Sequence, residues 1–350
     1  MRSVELSTTL HSDAVTGPPP WLRSVLGVTS LDEGVTVEVR GQTFVVRNGI
    51  PRSQRVVSAG QAQTRDTFGF KWKKRDTFES SASLARIREW LISRYGDVAS
   101  APWLAEHGER PLLIDAGCGA GMSALELFGP VIGRVRYLGV DVSAAVDVAR
   151  QRFGEHKVPG AFLQADISEL PLAPASVDLI LSEGALHHTN STEATLKSLA
   201  RLLKRGGRFL FYVYRRKGPI REFTDDHVRA QLQAMAPDEA WHAVEPLTRL
   251  GISLGELGTE IDIPAPIDLL GIPAGRISVQ RLFYWHVAKA FYRSDLTFEE
   301  MNHINFDWYA PAHAHRQSPD DVRQWCADAG LTVEREAVED AGITVVARKT

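Results

Sequence analysis

Short apolar runs alternate with helix-like stretches along the middle of the chain. The runs are residues 111–115, 135–143, 160–166, 176–184 and 208–214. Strand runs interleaved with helical patterns predict a mostly parallel sheet with helices on both faces, a doubly wound α/β fold. Residues 192–207 predict one such helix, stopped by the Gly206-Gly207 pair. Upstream, residues 35–51 alternate with period two and break at Arg40-Gly41, which predicts a β-hairpin. Residues 79–96 place Leu84, Ile87, Leu91 and Ile92 at helical spacing, with Ser80 or Ser81 as the cap. At the far end, residues 318–330 read as a helix with an N-cap serine and a terminal glycine. Two strand-like runs follow with a short connection, so they form a hairpin and one strand must be antiparallel to the rest.

Residues 215–317 fall outside this alternation. Ordinary connections run to about two to six residues, so this segment builds something extra over the carboxyl end of the sheet. It is rich in rings, from Trp241 to Tyr309. The expected organisation is a small N-terminal β module over residues 1–60, a core formed by 61–214 and 318–350, and a helical, aromatic insert over 215–317.

Composition narrows the field. The 350 residues are 44% hydrophobic and 24% charged, with a formal net charge of −3. That balance implies no strong field for nucleic acid or membrane. The basic runs at 71–75 and 214–218 read as solvated faces. Two cysteines, Cys118 and Cys326, allow neither a disulfide framework nor a cysteine-rich zinc site. Residues 1–20 carry no apolar segment of the signal-peptide kind, and no long apolar stretch follows. The expectation is a cytoplasmic protein, monomer or homodimer, that engages neither membrane nor nucleic acid.

The candidate chemistry begins at Asp115, followed by Gly117, Gly119 and Gly121. A glycine-rich turn after a buried strand lets a ligand approach the backbone. Asp141 closes the second strand about 20 residues on, where a carboxylate accepts from a ribose diol. Met122 stands where the dinucleotide fingerprint has its third glycine, and Asp115 would repel a pyrophosphate. A ligand with an amine and a sulfonium would be attracted. The pattern therefore favours S-adenosyl-L-methionine over NAD.

With "IDAGCGAG", "LGVDVS", "ADISELPL" and "VDLILSEGALHHT" in place, residues 111–214 resemble the class I S-adenosylmethionine-dependent methyltransferases, nearest the ubiquinone/menaquinone C-methylase-like group. The resemblance implies a Rossmann-like core. It sets Asp115 and Gly117 near the methionine moiety, with Gly119 and Gly121 lining the loop beneath. It gives the ribose to Asp141, the adenine face to Val142, and the adenine amino group to Asp166 beside Ile167. Ser182 and Glu183 would lie near the methyl group. Asp166 has a purely structural alternative as a turn cap. The "FVVRNGIP" stretch resembles the end of a zinc-ribbon-like module, here metal-free because no cysteine precedes Cys118. Aromatic residues at 66–78, with Phe70 and Trp72 as candidates, would close the cofactor pocket.

Methyl transfer displaces a good leaving group, so positioning dominates and a general base is optional. Glu183, His187 and His188 follow the fourth strand and are the candidate catalytic groups. Arg215 and Arg221 could pair with an acid on the substrate unless the acidic residues 222–226 neutralise them. Asp307 and Tyr309 are candidate substrate-edge residues. His313 and His315 lack a predictable third ligand, so no metal is assigned. The reading is a methyltransferase acting on a small-molecule acceptor, for which secondary metabolism is one setting. The alternatives are an NAD-dependent oxidoreductase and a non-catalytic methyltransferase-like binding subunit.

Overall fold

The structure is a computed structural model that describes residues 17–350. The first part of the expected N-terminal module, residues 1–16, lies outside the described residues. In chain order the strands are β1 (Thr36–Val39), β2 (Gln42–Arg47), β3 (Ile50–Ser53), β4 (Leu112–Ala116), β5 (Arg136–Asp141), β6 (Ala161–Gln164), β7 (Val177–Glu183), β8 (Leu203–Tyr214), β9 (Glu260–Ile263), β10 (Gly275–Ser278), β11 (Leu331–Val338) and β12 (Gly342–Lys349). Ten of them form one sheet in the order β1-β2-β3-β6-β5-β4-β7-β8-β12-β11, and β9 pairs with β10 alone. The central five, from β6 to β8, are parallel, and β12 lies antiparallel between β8 and β11. This is the doubly wound, Rossmann-like sheet with an antiparallel C-terminal hairpin. Chain order reverses at β4, and the crevice beyond the carboxyl ends there is where such sheets bind ligands.

The helices are α1 (Pro20–Leu26), α2 (Ala59–Lys71), α3 (Ser81–Tyr95), α4 (Met122–Phe128), α5 (Ala145–Glu155), α6 (Thr192–Ala200), α7 (Pro219–Leu232), α8 (Pro237–Glu256), α9 (Val279–His286), α10 (Phe298–Tyr309) and α11 (Pro319–Asp328). Alternation along each strand divides the core between the two faces. Leu112, Ile114 and Ala116 of β4 pack with α1, α6 and α11, whereas Leu113 packs with α3, α4 and α5. Ser80 is the cap of α3, its hydroxyl accepting from Ser83 N–H. No helix among the described residues is long and apolar enough to cross a membrane.

Two expectations are corrected. Residues 36–53 do not stand apart as a module and form no zinc ribbon. They are a meander that extends the main sheet, because β3 pairs with β6 through Arg52 and Gln164. The Arg52 guanidinium holds Asp147 at 2.6 Å and the Gln164 amide oxygen at 2.7 Å. Arg40 and Gly41 turn the first hairpin with φ of 48° and 80°, and Asn48 and Gly49 turn a second with 54° and 64°. Both positive-φ pairs match the right-handed twist of the flanking strands.

The helix expected over 192–207 stops at Ala200. Leu202 and Leu203 are buried, β8 begins at Leu203, and Gly206 sits at φ 83°, a value no helix interior adopts.

The insert packs onto the sheet and has no separate core. Trp241, Phe306, Trp308 and Tyr309 join the same buried cluster as Leu91, Leu127 and Phe153. Most of its rings are therefore packing, and only Phe291 among those singled out reaches the cavity described next.

Candidate functional site

The loop after β4 is tied to β5: the N–H groups of Gly117 and Cys118 both donate to the Val140 carbonyl, at 2.8 and 2.9 Å. All three loop glycines have positive φ. A Cβ on Gly117 would lie 2.1 Å from Ala185 Cβ, one on Gly119 2.7 Å from the Trp72 indole, and one on Gly121 2.8 Å from Phe153. Much of the bareness thus serves close packing by the protein itself. Only Gly117 borders the cavity; Gly119 lies under Trp72, and Gly121 faces α5.

That cavity has a volume of about 360 Å³. Strand ends and the turns after them supply its floor: Asp115 from β4, Asp141 of β5 with Val142 just after it, Asp166 and Ile167 after β6, and Glu183 of β7 with His188 in the turn that follows. One face of α2 roofs it with Gln61, Thr64, Phe68 and Lys71, spaced as a helix requires, and Trp72 follows. Arg86, Ile87 and Trp90 of α3 close one side. Tyr212 and Tyr214 of β8, with Lys289, Phe291, Ile304 and Asp307 of the insert, close the other.

The floor is acidic, and Asp115 and Asp141 in it are buried. The Asp115 carboxylate accepts from Tyr137 Oη at 2.8 Å, and burial pushes its pKa up to about 7. Asp141 Oδ2 accepts from Gly119 N–H at 3.0 Å, and Oδ1 accepts from the N–H and hydroxyl of Ser143 at 2.8 and 2.7 Å. Burial raises Asp141 as well, against those bonds. Asp166 does cap the turn, its Oδ1 accepting from Ser168 N–H at 2.8 Å, yet it also borders the cavity. Glu183 accepts from Tyr95 Oη, and burial pushes it up to about 8. His188 Nδ1 lies 2.5 Å from the His313 carbonyl, so Nδ1 donates and Nε2 is left as the acceptor. Burial lowers its pKa to about 4.

Several sequence candidates are elsewhere. Phe70 is on another face of α2, packed on Trp241 and Phe306, while Phe68 and Trp72 border the cavity. The Ser182 hydroxyl donates to the Ala116 carbonyl at 2.8 Å, between strands. His187 is fully buried against Tyr214, ring centres 3.7 Å apart, and burial holds it well below the usual histidine range. Arg215 pairs with Asp340 at 3.5 Å on the surface. Arg221 is sealed within the insert on Asp225 and the Tyr284 carbonyl. The Tyr309 hydroxyl accepts from Lys289 N–H at 2.7 Å inside the insert. Asp307 does border the cavity, holding Lys71 and accepting from Tyr214 Oη at 3.2 Å. Burial works to raise its carboxyl, but Lys71 foremost outweighs it and holds the group well below the usual range. No group of three or more metal-ligating side chains occurs among the described residues.

The residues that the sequence reading missed are Lys71, Trp90, Tyr212 and Lys289. The spacing of Gln61, Thr64, Phe68 and Lys71 was an available signal for the α2 face. Nothing local marks Lys289.

The sheet order, the acidic loop and the strand-end cavity define a class I methyltransferase-type α/β domain. Residues 114–211 match the family described as a methyltransferase domain, so the chain carries a domain of that kind. It is 26% identical to a tRNA (carboxymethyluridine(34)-5-O)-methyltransferase of Xenopus tropicalis, over 57% of this chain and 30% of that protein. It is 28% identical to a malonyl-[acyl-carrier protein] O-methyltransferase of Methylovorus, over 41% of this chain and 45% of that one. Among solved structures, the magnesium protoporphyrin IX methyltransferase of Synechocystis with bound S-adenosylhomocysteine is similar at 16% identity and a TM-score of 0.45, covering 83% of this chain and 100% of that one. The chain spans less than half the length of the curated relatives it matches.

Proposed function

We propose that the protein transfers a methyl group from S-adenosylmethionine to a small-molecule acceptor held between the end of β7 and the insert. The observation that carries this is a roofed cavity lined by acids from the strand ends and by rings and cations from α2, α3, β8 and the insert. The donor set fits the cofactor. Asp115, Asp166 and Glu183 all border the cavity, and among the described residues each is hydrogen-bonded through one oxygen, Oδ2, Oδ1 and Oε2 respectively, so the second oxygen of each is left for a ligand. Asp141 and Asp166 would hold the ribose and adenine, and Val142 and Ile167 the adenine faces. Asp115 and Gly117 would hold the methionine part. When bound, the cofactor supplies a methyl group already activated by its sulfonium.

The chain's own work is placement and proton control. Holding the acceptor in line is worth about 7–11 kcal/mol of barrier, and the α2 roof keeps water out. At neutral pH Glu183 is mostly protonated and His188 is neutral. An acceptor that must lose a proton would give it to His188 Nε2, or to Glu183 once ionised. His187 lies outside the cavity, so the base role narrows to those two. The test is mass spectrometry of the purified protein for retained adenosyl ligand, with transfer of labelled methyl from S-adenosylmethionine to a small-molecule extract. Labelled product confined to a tRNA fraction would favour a second reading, an RNA acceptor. The relative from Xenopus tropicalis is the observation behind that reading.

A further inference from the structure

Of the three cations that border the cavity, Lys71 pairs with Asp307, while Arg86 and Lys289 have no ion pair among the described residues. Lys289 follows α9, is only 8% exposed, and borders the cavity. Its backbone N–H is held by Tyr309 Oη at 2.7 Å, and its ammonium lies 4.7 Å from the Trp308 ring centre. Among the described residues no carboxylate or carbonyl bonds that ammonium. Asp307 is near enough to act on it electrostatically, but Oδ1 of Asp307 is taken by Lys71 and Oδ2 by Tyr214. Burial lowers Lys289 to about 7. A desolvated ammonium of this kind regains its charge when an anion arrives, and the resulting hydrogen bond is charge-assisted.

The surroundings define the rest of the ligand. Phe291 and Ile304 come from the insert with Lys289, and Trp90 and Tyr212 stand on the α3 and β8 walls of the same cavity. The acids Asp115, Asp141, Asp166 and Glu183 are on the strand-end floor, and Asp307 on the insert side is already paired with Lys71. We propose that Lys289 is the anion seat of the acceptor subsite, and that the acceptor is a small organic acid with a flat apolar body and a carboxylate. This rests on the methyltransferase reading above. The rival anion for Lys289 is the cofactor's own carboxylate. Arg86 is better placed for that one: it sits on α3, borders the cavity together with Met122 at the glycine loop, and its buried Nε has no partner.

Calorimetry on the full chain separates the two. With S-adenosylhomocysteine saturating, benzoate, salicylate and cinnamate are titrated beside their primary amides. At least one acid is expected to bind, with its amide about tenfold or more weaker, the scale of one charge-assisted hydrogen bond. Lys289→Met should erase that difference, Lys289→Arg should keep part of it, and affinity for S-adenosylhomocysteine should be equal in all three proteins. Amides that match the acids, or acids that fail to bind at millimolar concentration, would overturn the proposal. So would a loss of S-adenosylhomocysteine affinity in Lys289→Met, which would give Lys289 to the cofactor. Failure of the wild type to bind S-adenosylhomocysteine at all would instead remove the methyltransferase reading itself.

Discussion

Cofactor binding should be coupled to proton release, and Asp115 is the group to follow. It is buried, bonded among the described residues by Tyr137 alone, and raised from 3.8 to about 7. That rise corresponds to about 4 kcal/mol against ionisation in the empty site. A sulfonium or ammonium about 5 Å away, at an effective dielectric of about 20, returns about 3 kcal/mol to the ionised form. Binding at pH 7 should therefore expel the proton that Asp115 still holds. Glu183, raised to about 8, should add to the release. Titrations of S-adenosylmethionine in buffers of different ionisation enthalpy should report about 0.5–1 proton released at pH 7. Affinity should weaken as pH falls below 7, approaching tenfold per unit. S-adenosylhomocysteine, which lacks the sulfonium charge, should release less. Affinity that is flat from pH 6 to 8, or identical proton counts for the two ligands, would refute the reasoning. Stability gives an independent check. An acid whose folded pKa is raised contributes stability that is whole below its unfolded value and is lost as pH rises through the folded one. The ligand-free protein should thus lose stability between pH 4 and 8, and Asp115→Asn should lose less.

Three further outcomes follow from the packing. Lys71→Met should destabilise the fold toward the lower end of about 3–5 kcal/mol, because Asp307 loses its ion pair but keeps 25% of its side chain open to the cavity; chemical denaturation measures it, and the double change with Asp307→Asn should recover most of the loss. Gly119→Ala should weaken cofactor binding in calorimetry, since φ of 50° strains any other residue and the new Cβ would meet the Trp72 indole at 2.7 Å. His187→Ala should lower the denaturation midpoint with little specific effect on chemistry, whereas His188→Ala should leave the midpoint nearly level and cut turnover by up to about 10²–10⁴-fold if the acceptor must be deprotonated.

The division between what the chain reveals and what it conceals follows the range of the interactions. Strands β4 to β7 and the acids at their ends were legible because each depends on a local pattern: an apolar run, then a turn, then a carboxylate. Ser182 and His187 were misplaced by one residue of alternation. Along β7 and the turn after it, Glu183 and His188 face the cavity, while Ser182 bonds Ala116 and His187 stacks on Tyr214. The same register problem moved the role of Phe70 to Phe68, because only a helical register separates ring from neighbour on α2, whereas the candidate Trp72 does border the cavity. The extra β-strands were harder still. Asn48-Gly49 is a strong hairpin signal, but nothing in residues 36–53 says that β3 will add to the edge at β6.

The roof was out of reach for a deeper reason. Trp72 covers Gly119, and the ammonium of Lys71 lies 3.9 Å from the Trp72 ring centre while pairing with Asp307. These three contacts join α2, the glycine loop and α10, segments that meet only after the insert has folded back over the sheet. No local pattern encodes that meeting, yet it determines which residues face the cofactor and which face the acceptor. The arginines of the insert show the same effect in reverse. Arg221 read as a substrate clamp from its basic cluster, with neutralisation by residues 222–226 as the alternative, and that alternative holds: Asp225, one helical turn away, pairs with it in the interior. Lys289 has no such neighbour, and among the described residues its ammonium is left without an ion pair at the cavity.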